Sequence, residues 1–298
     1  MNIDDLNENF GVEGEVCFME LEGDLPFITV TNKYAEADIC LYGAQITGFR
    51  PAGTTDVLWM SPYSVFEVGK AIRGGIPVCF PWFGPHAENA DFPQHGFART
   101  SMWQVLEVKT LEKGETSVAL QLNNSAQTQK FWPHEFAAKM IFIIGKSLSV
   151  TLEVSNTSTH EFSYTAALHS YFNLSGVENI SIEGLENTSY ENQLDGKRYT
   201  QGEKLLGISE AITRHYFNTT ADCVITDPYF NRNIRIGKEG SKCSTVWNPW
   251  AATCKQMSDM PNNAYETFVC LETVNNINDK IVLAPGQSHG TTAIISIE

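Results

Sequence analysis

No apolar run in this sequence approaches the roughly 20 residues that cross a bilayer. The opening segment Met1–Phe10 is acidic and polar, without the basic start and apolar stretch of a secretory signal. No Cys-x-x-Cys pair occurs: Cys17, Cys40, Cys79, Cys223, Cys243, Cys254 and Cys270 are scattered and odd in number. They fit reduced, mostly buried thiols rather than a disulfide framework, so a cytoplasmic location is expected. The Asn-x-Ser/Thr matches at Asn156 and Asn187 then carry no sugar. Basic charge is also scarce, with 20 Lys and Arg against 35 Asp and Glu and a net charge of −15. Nucleic acid and anionic membrane are therefore poor partners, because a phosphate polymer requires a basic footprint. A small phosphorylated molecule is not excluded, since one or two placed arginines suffice for it. There is no phosphate-cradling P-loop, no Gly-x-Ser-x-Gly elbow and no dinucleotide fingerprint.

Helical signal is thin as well. Trp250–Met257 and Ile208–Arg214 are the two candidate helices, each short. What is abundant is period-2 alternation. Leu148, Val150, Leu152 and Val154 alternate with Ser149, Thr151 and Glu153, a one-faced strand. Phe27–Val30, Asp38–Leu41, Val105–Val108, Ser117–Leu122, Phe136–Ile144, Phe162–Leu168, Cys223–Thr226, Asn233–Ile236, Cys243–Trp247, Thr267–Glu272 and Thr291–Ile297 read likewise. Turn clusters such as Gly145-Lys146, Asp195-Gly196 and Pro285-Gly286 separate them. Strands do not alternate with helices, which disfavours a parallel α/β sheet. The expectation is an all-β, mostly antiparallel fold with few short helices. We expect a single domain over residues 25–298, built of two stacked sheets and preceded by an N-terminal extension over residues 1–24.

The densest feature is Lys70–Arg99, KAIRGGIPVCFPWFGPHAENADFPQHGFAR, in which two arginines and two histidines lie among four prolines, four glycines and five large aromatics. Gly and Pro punctuate the backbone into loops, and polar groups beside flat apolar ones suit a sugar-sized pocket. Arg73, Gln94, His95 and Arg99 are its candidate binding residues. Arg73 has few nearby acids in sequence and is expected to be free for an anion. His86 and His95 lack a third ligand at metal spacing, so no metal site is expected. Outside the stretch, His169 ends the strand SYTAALH on its small, polar face, where an imidazole titrating near neutrality could act as acid or base. Glu272 shares a strand face with Phe268 and Cys270, so its carboxylate needs a partner or its pKa rises. Asp222 flanks a short strand, where an acid either meets a sugar hydroxyl or caps a turn. Trp247 and Trp250 are expected in the core. His134, His160, His215 and His289 are expected in loops or at strand ends.

In combination these segments resemble a known family. AIRGGIPVCFPWFG at Ala71–Gly84, PQHGFAR at Pro93–Arg99, ALHSYF at Ala167–Phe172, VWNPW at Val246–Trp250 and CLETV at Cys270–Val274 occur in the order found in the aldose 1-epimerase superfamily. More narrowly, they resemble its hexose-6-phosphate mutarotases, over roughly residues 25–297. The resemblance implies a galactose-mutarotase-like β-supersandwich and the interconversion of α and β anomers of a hexose 6-phosphate without cofactor or metal. It implies His169 as general acid, Glu272 as general base, and Arg73 and Arg99, with Gln94 and His95 beside them, as substrate contacts. Asp222 falls where the family often has an Asp-Arg pair whose acid binds substrate, but Cys223 follows it here. The expected resting pair is a Glu272 carboxylate that raises the pKa of a His169 imidazolium. The expected partner is a small hexose phosphate, and a monomer suffices for it. Three other readings stand beside this one: a mutarotase for unphosphorylated aldoses, a non-catalytic sugar-phosphate-binding protein, and a glycoside hydrolase using Glu272 with Asp222.

Overall fold

The computed structural model describes residues 2–298. Every strand pair in it is antiparallel. Two eight-stranded sheets dominate. The first runs in the order Lys197–Thr200, Ser189–Asn192, Ile212–Phe217, Cys243–Asn248, Phe268–Asn275, Ala166–Leu168, Val78–Cys79, with Tyr171–Asn173 also paired to Phe268–Asn275. The second contains the long neighbours Ser288–Ile297, Ser147–Asn156, Phe136–Ile144 and Thr116–Asn123. A four-stranded sheet, Val16–Glu20, Pro26–Thr31, Ala35–Cys40 and Gln45–Pro51, completes the framework. Apolar side chains of all three sheets meet in one core cluster, among them Ile28, Ile46, Val78, Phe142, Val150, Leu168 and Leu271.

The sequence alternation becomes burial alternation. Ser147–Asn156 and Phe136–Ile144 bury every second residue, so one face enters the core and the other is only partly covered. Phe268–Asn275 differs, being buried at every residue. Such a strand has protein on both faces, and any charged side chain it carries is withheld from water.

Two expectations about helices change. Ile208–Arg214 is not a helix. A strand begins at Ile212 and pairs with Cys243–Asn248, which suits its β-branched and aromatic residues Ile212, Thr213, Tyr216 and Phe217. The helix at Trp250 ends at Cys254, short of Met257. Residues 2–24 form elements of their own. Asn2 caps the helix Ile3–Phe10 by accepting from the Asp4 N–H at 3.0 Å, Leu6 is buried, and Val16–Glu20 pairs with Pro26–Thr31. All seven thiols are free and only Cys17 is exposed.

Glycine is required where the Lys70–Arg99 stretch meets the sheets. Gly96 has φ +74°, and a Cβ there would stand 2.1 Å from the Phe80 carbonyl oxygen. Gly75, at φ +59°, would meet the Ile46 carbonyl oxygen at 2.2 Å. The loop thus lies backbone against backbone on its support, which fixes in space His95, directly before Gly96, and Arg73, two residues before Gly75.

Candidate active site

The registers of the first sheet bring its polar side chains together. Leu168 stands opposite Thr273 and Tyr171 opposite Cys270, so the pairing keeps step across the gap between them and His169 faces Glu272. Across the following strands Glu272 faces Thr245, Thr245 faces His215, and His215 faces Glu191. Opposed residues of an antiparallel pair share a face. A single polar row, His169–Glu272–Thr245–His215–Glu191, therefore crosses the sheet. Two residues along, Tyr171, Cys270, Trp247 and Thr213 form the next row. The rows and the overlying loop enclose a pocket of about 370 Å³ that Arg73, Gln94, His95, Arg99, His169 and Glu272 all line.

His169 and Glu272 form the centre. The imidazole Nε2 is 3.5 Å from Glu272 Oε1, and both side chains are buried. His169 Nδ1 and Glu272 Oε2 have no hydrogen-bond partner among the described residues. Buried polar atoms are seldom left so, and beside a pocket they are the groups a ligand hydroxyl satisfies. Burial raises the Glu272 carboxyl well above the usual carboxylate range. Burial, then the charge that His95 carries when protonated and the guanidiniums of Arg73 and Arg99, lowers His169 well below its ordinary value. Both shifts disfavour the carboxylate–imidazolium pair expected from the sequence. Desolvation acts on the two charges separately, and it outweighs their attraction at this distance.

The two arginines differ. Arg73 is not free: its Nε and Nη2 donate to Asp259 Oδ2 at 3.0 and 2.9 Å, and its Nη1 donates to the Tyr171 hydroxyl at 2.9 Å. Burial opposes its charge, but Tyr171 and Asp259 prevail and hold the guanidinium above its ordinary pKa. Asp259 lies 186 residues away in sequence, so no local reading could pair them. Arg99 donates from Nη2 to the Gln94 carbonyl at 2.8 Å and has no carboxylate in contact among the described residues. Burial, reinforced by Arg73, pushes its pKa down. Arg99 is therefore the uncompensated cation of the pocket.

His95 holds a left-handed backbone, φ +65°. Its N–H donates to the Gly84 carbonyl at 2.7 Å, while its Nδ1 accepts from the Gly84 N–H at 3.0 Å. Nδ1 being the acceptor, the neutral ring carries its proton on Nε2. Burial, then Arg99 and Arg73, lower its pKa from 6.5 to about 3. Between those values the unfolded chain binds a proton that the folded one refuses, so this group makes stability fall as pH drops through that window. His95→Asn keeps an acceptor and tolerates the left-handed backbone. Urea unfolding should show the wild type losing more stability than His95→Asn between about pH 7 and about pH 4.

Asp222 is not part of this site. It precedes the strand Cys223–Asp227 of the other large sheet, half exposed, with Oδ2 3.6 Å from Arg235 Nη1. The pocket residue that directly precedes an arginine is Thr213, before Arg214, so the carboxylate of an Asp-Arg pair is absent there. A different carboxylate, Glu191, lies two strand positions away. His215, expected in a loop or at a strand end, is instead a pocket wall: it sits inside Ile212–Phe217 with Nδ1 2.8 Å from Thr245 Oγ1. Trp247 lines the pocket, edge-on to the His169 ring with centroids 5.8 Å apart. Alternation did place Thr245 and Trp247 on one strand face, and Cys270 and Glu272 on another. Which face met which needed the register.

The sequence profile of a family described as aldose 1-epimerase matches residues 26–296. An Escherichia coli protein provisionally named a glucose-6-phosphate 1-epimerase is 38% identical over 252 residues, 84% of this chain and 83% of that protein. A crystal structure of a provisionally identified mutarotase from Salmonella typhimurium superposes with a TM-score of 0.90 at 31% identity, covering 97% of this chain and 95% of that one. A galactose mutarotase related enzyme from Lactobacillus acidophilus, at 16% identity, shares the fold with a TM-score of 0.73 over 91% of this chain and 97% of its own.

Proposed function

This chain belongs to the aldose 1-epimerase family, and from that premise we propose how its pocket interconverts the α and β anomers of a hexose 6-phosphate, glucose 6-phosphate in particular. The observation that carries the reading is a buried His169–Glu272 pair, Nε2 to Oε1 3.5 Å, in one pocket with Arg73 and Arg99. The relatives' provisional name supports glucose 6-phosphate as the substrate. The free thiols support a reducing cytoplasm as the place of work.

Opening a pyranose removes a proton from the C1 hydroxyl and delivers one to the ring oxygen. Glu272 takes the first and His169 gives the second. The aldehyde then turns about C1–C2, and closure runs the same transfers backwards on the other face. The ring form therefore meets carboxylate and imidazolium, and the open chain meets carboxylic acid and imidazole. These two states hold the same number of protons. Burial favours the second, so the pocket leans toward the open-chain partner of the reaction. A phosphate dianion against Arg99 and Arg73 offsets the positive charge that depresses His169, and so restores the first. Thr245, His215 and Glu191, continuing the row beyond Glu272, face the ring hydroxyls, and Trp247 offers its edge to the sugar.

Freshly dissolved α-glucose 6-phosphate, followed by polarimetry or by anomeric proton NMR, should reach equilibrium much faster with this protein than alone. Free glucose should be accelerated far less. Equal acceleration of the two sugars points to an unphosphorylated aldose, and none at all sinks the reading.

A further inference from the structure

We propose that Tyr171, which does not line the pocket, is a positioning residue that couples phosphate at the arginine end to the action of His169 as acid; this rests on the reading of the site given above. Tyr171 is 1% exposed and touches both ends of the machinery. Its hydroxyl accepts from Arg73 Nη1 at 2.9 Å, and its ring lies nearly parallel to the His169 imidazole, centroids 4.9 Å apart at 13°. The two rings stack because His169 and Tyr171 are two residues apart in an extended segment, where alternate side chains share a face. The phenol is immobilised by Trp59 at 5.9 Å, Phe268 at 5.3 Å and Trp247 at 6.0 Å. It cannot swing away when Arg73 is engaged.

A phenol face is a negative platform for a cation stacked on it. Arg73, donating to the hydroxyl, draws electron density out of that platform and adds its own charge nearby. Both effects work against an imidazolium at His169. A dianion that shares Arg73 reverses both. The other groups facing His169 do not duplicate this path. Glu272 opposes it across the strands, His95 meets it edge-on with centroids 5.8 Å apart, and Arg99 enters from the overlying loop. The Cys79 and Cys270 thiols are kept protonated by burial. The phosphate of the substrate then does more than tether the sugar: it arms the acid.

Cutting the substrate in two tests this. Mutarotation of free glucose by the wild-type protein is measured with and without phosphite dianion, and again with Tyr171→Phe, which keeps the stacked ring and removes the hydroxyl. Phosphite should accelerate glucose mutarotation by the wild type about tenfold or more. The variant should lose most of that acceleration while remaining folded, its melting temperature lowered only by the few degrees that one unpaired Arg73 donor costs. Its kcat on glucose 6-phosphate should fall about tenfold with little change in KM, as for a lost hydrogen bond to a charged group. Wild-type protein that turns over glucose 6-phosphate but ignores phosphite overturns the coupling. So does a variant that keeps phosphite activation and kcat while KM rises, because Tyr171 then only anchors Arg73. Failure of the wild type on glucose 6-phosphate is a separate result and counts against the functional reading itself.

Discussion

Glu272→Gln lowers kcat for anomer exchange of glucose 6-phosphate by about 10²–10⁴-fold, the range of one general acid–base group, and leaves KM within a few-fold of wild type. The amide has the shape of the protonated carboxyl that burial favours, so the pocket keeps its form and its arginines. It cannot accept the C1 hydroxyl proton. Stability should hold or rise slightly, because the variant no longer carries a group whose charged form is desolvated on a strand buried at every residue. His169→Asn should cost a similar factor. The double variant should be scarcely slower than either single one, since a proton-transfer pair fails as a unit. Initial rates by NMR exchange spectroscopy, with a thermal melt of each variant, check all three statements. Wild-type rates from the Glu272 variant remove that residue from the chemistry. A loss of rate accompanied by a large loss of stability makes Glu272 structural instead.

Why the pair was legible in sequence, and its charge state was not, follows from what each depends on. His169 and Glu272 each stand out locally, the imidazole at a strand end and the carboxylate between Phe268 and Cys270 on one face. Whether they meet depends on register, which emerges only when Leu168 pairs with Thr273 and Tyr171 with Cys270. Their protonation depends on burial from both sides of the sheet, which period-2 patterning does not report. The same limit explains Arg73 and Asp222. Arg73 reads as free because Asp259, its partner, is remote in sequence. Asp222 is a substrate contact only by the resemblance, its own setting allowing a sugar hydroxyl or a turn cap, and the strand that follows it joins the other large sheet. Glu191, Thr213 and His215 were missed for a further reason. Their strands, Ser189–Asn192 and Ile212–Phe217, lie toward one edge of the sheet, where alternation of apolar residues is weak and the face turned to the pocket carries no hydrophobic signature. The all-β class survived these errors because it rests on many long strands, Phe136–Ile144 and Ser147–Asn156 above all, rather than on any one element.

The second large effect is expected at Arg99. Arg99→Met keeps the aliphatic stem packed and removes the charge. It should lower kcat/KM for glucose 6-phosphate by about 10²–10³, the loss of a charge-assisted contact of roughly 3–4 kcal/mol to a dianion. Activity on unphosphorylated glucose should stay near the wild-type value, since the His169–Glu272 pair is intact. The melting temperature should rise. Arg73 is compensated by Asp259, but among the described residues Arg99 donates to the Gln94 carbonyl and to no carboxylate, and burial lowers its pKa, the mark of a cation held at a cost in stability. Stability gained where activity is lost is the signature of a residue kept for binding. Arg99→Lys should recover only part of the rate, because one ammonium cannot present the planar pair of donors that a phosphate accepts. The decisive comparison is the ratio of kcat/KM on the two sugars. If Arg99→Met slows glucose and glucose 6-phosphate by the same factor, Arg99 supports the acid–base pair rather than the phosphate. Discrimination between the two sugars would then fall to Arg73, already committed to Asp259 and Tyr171.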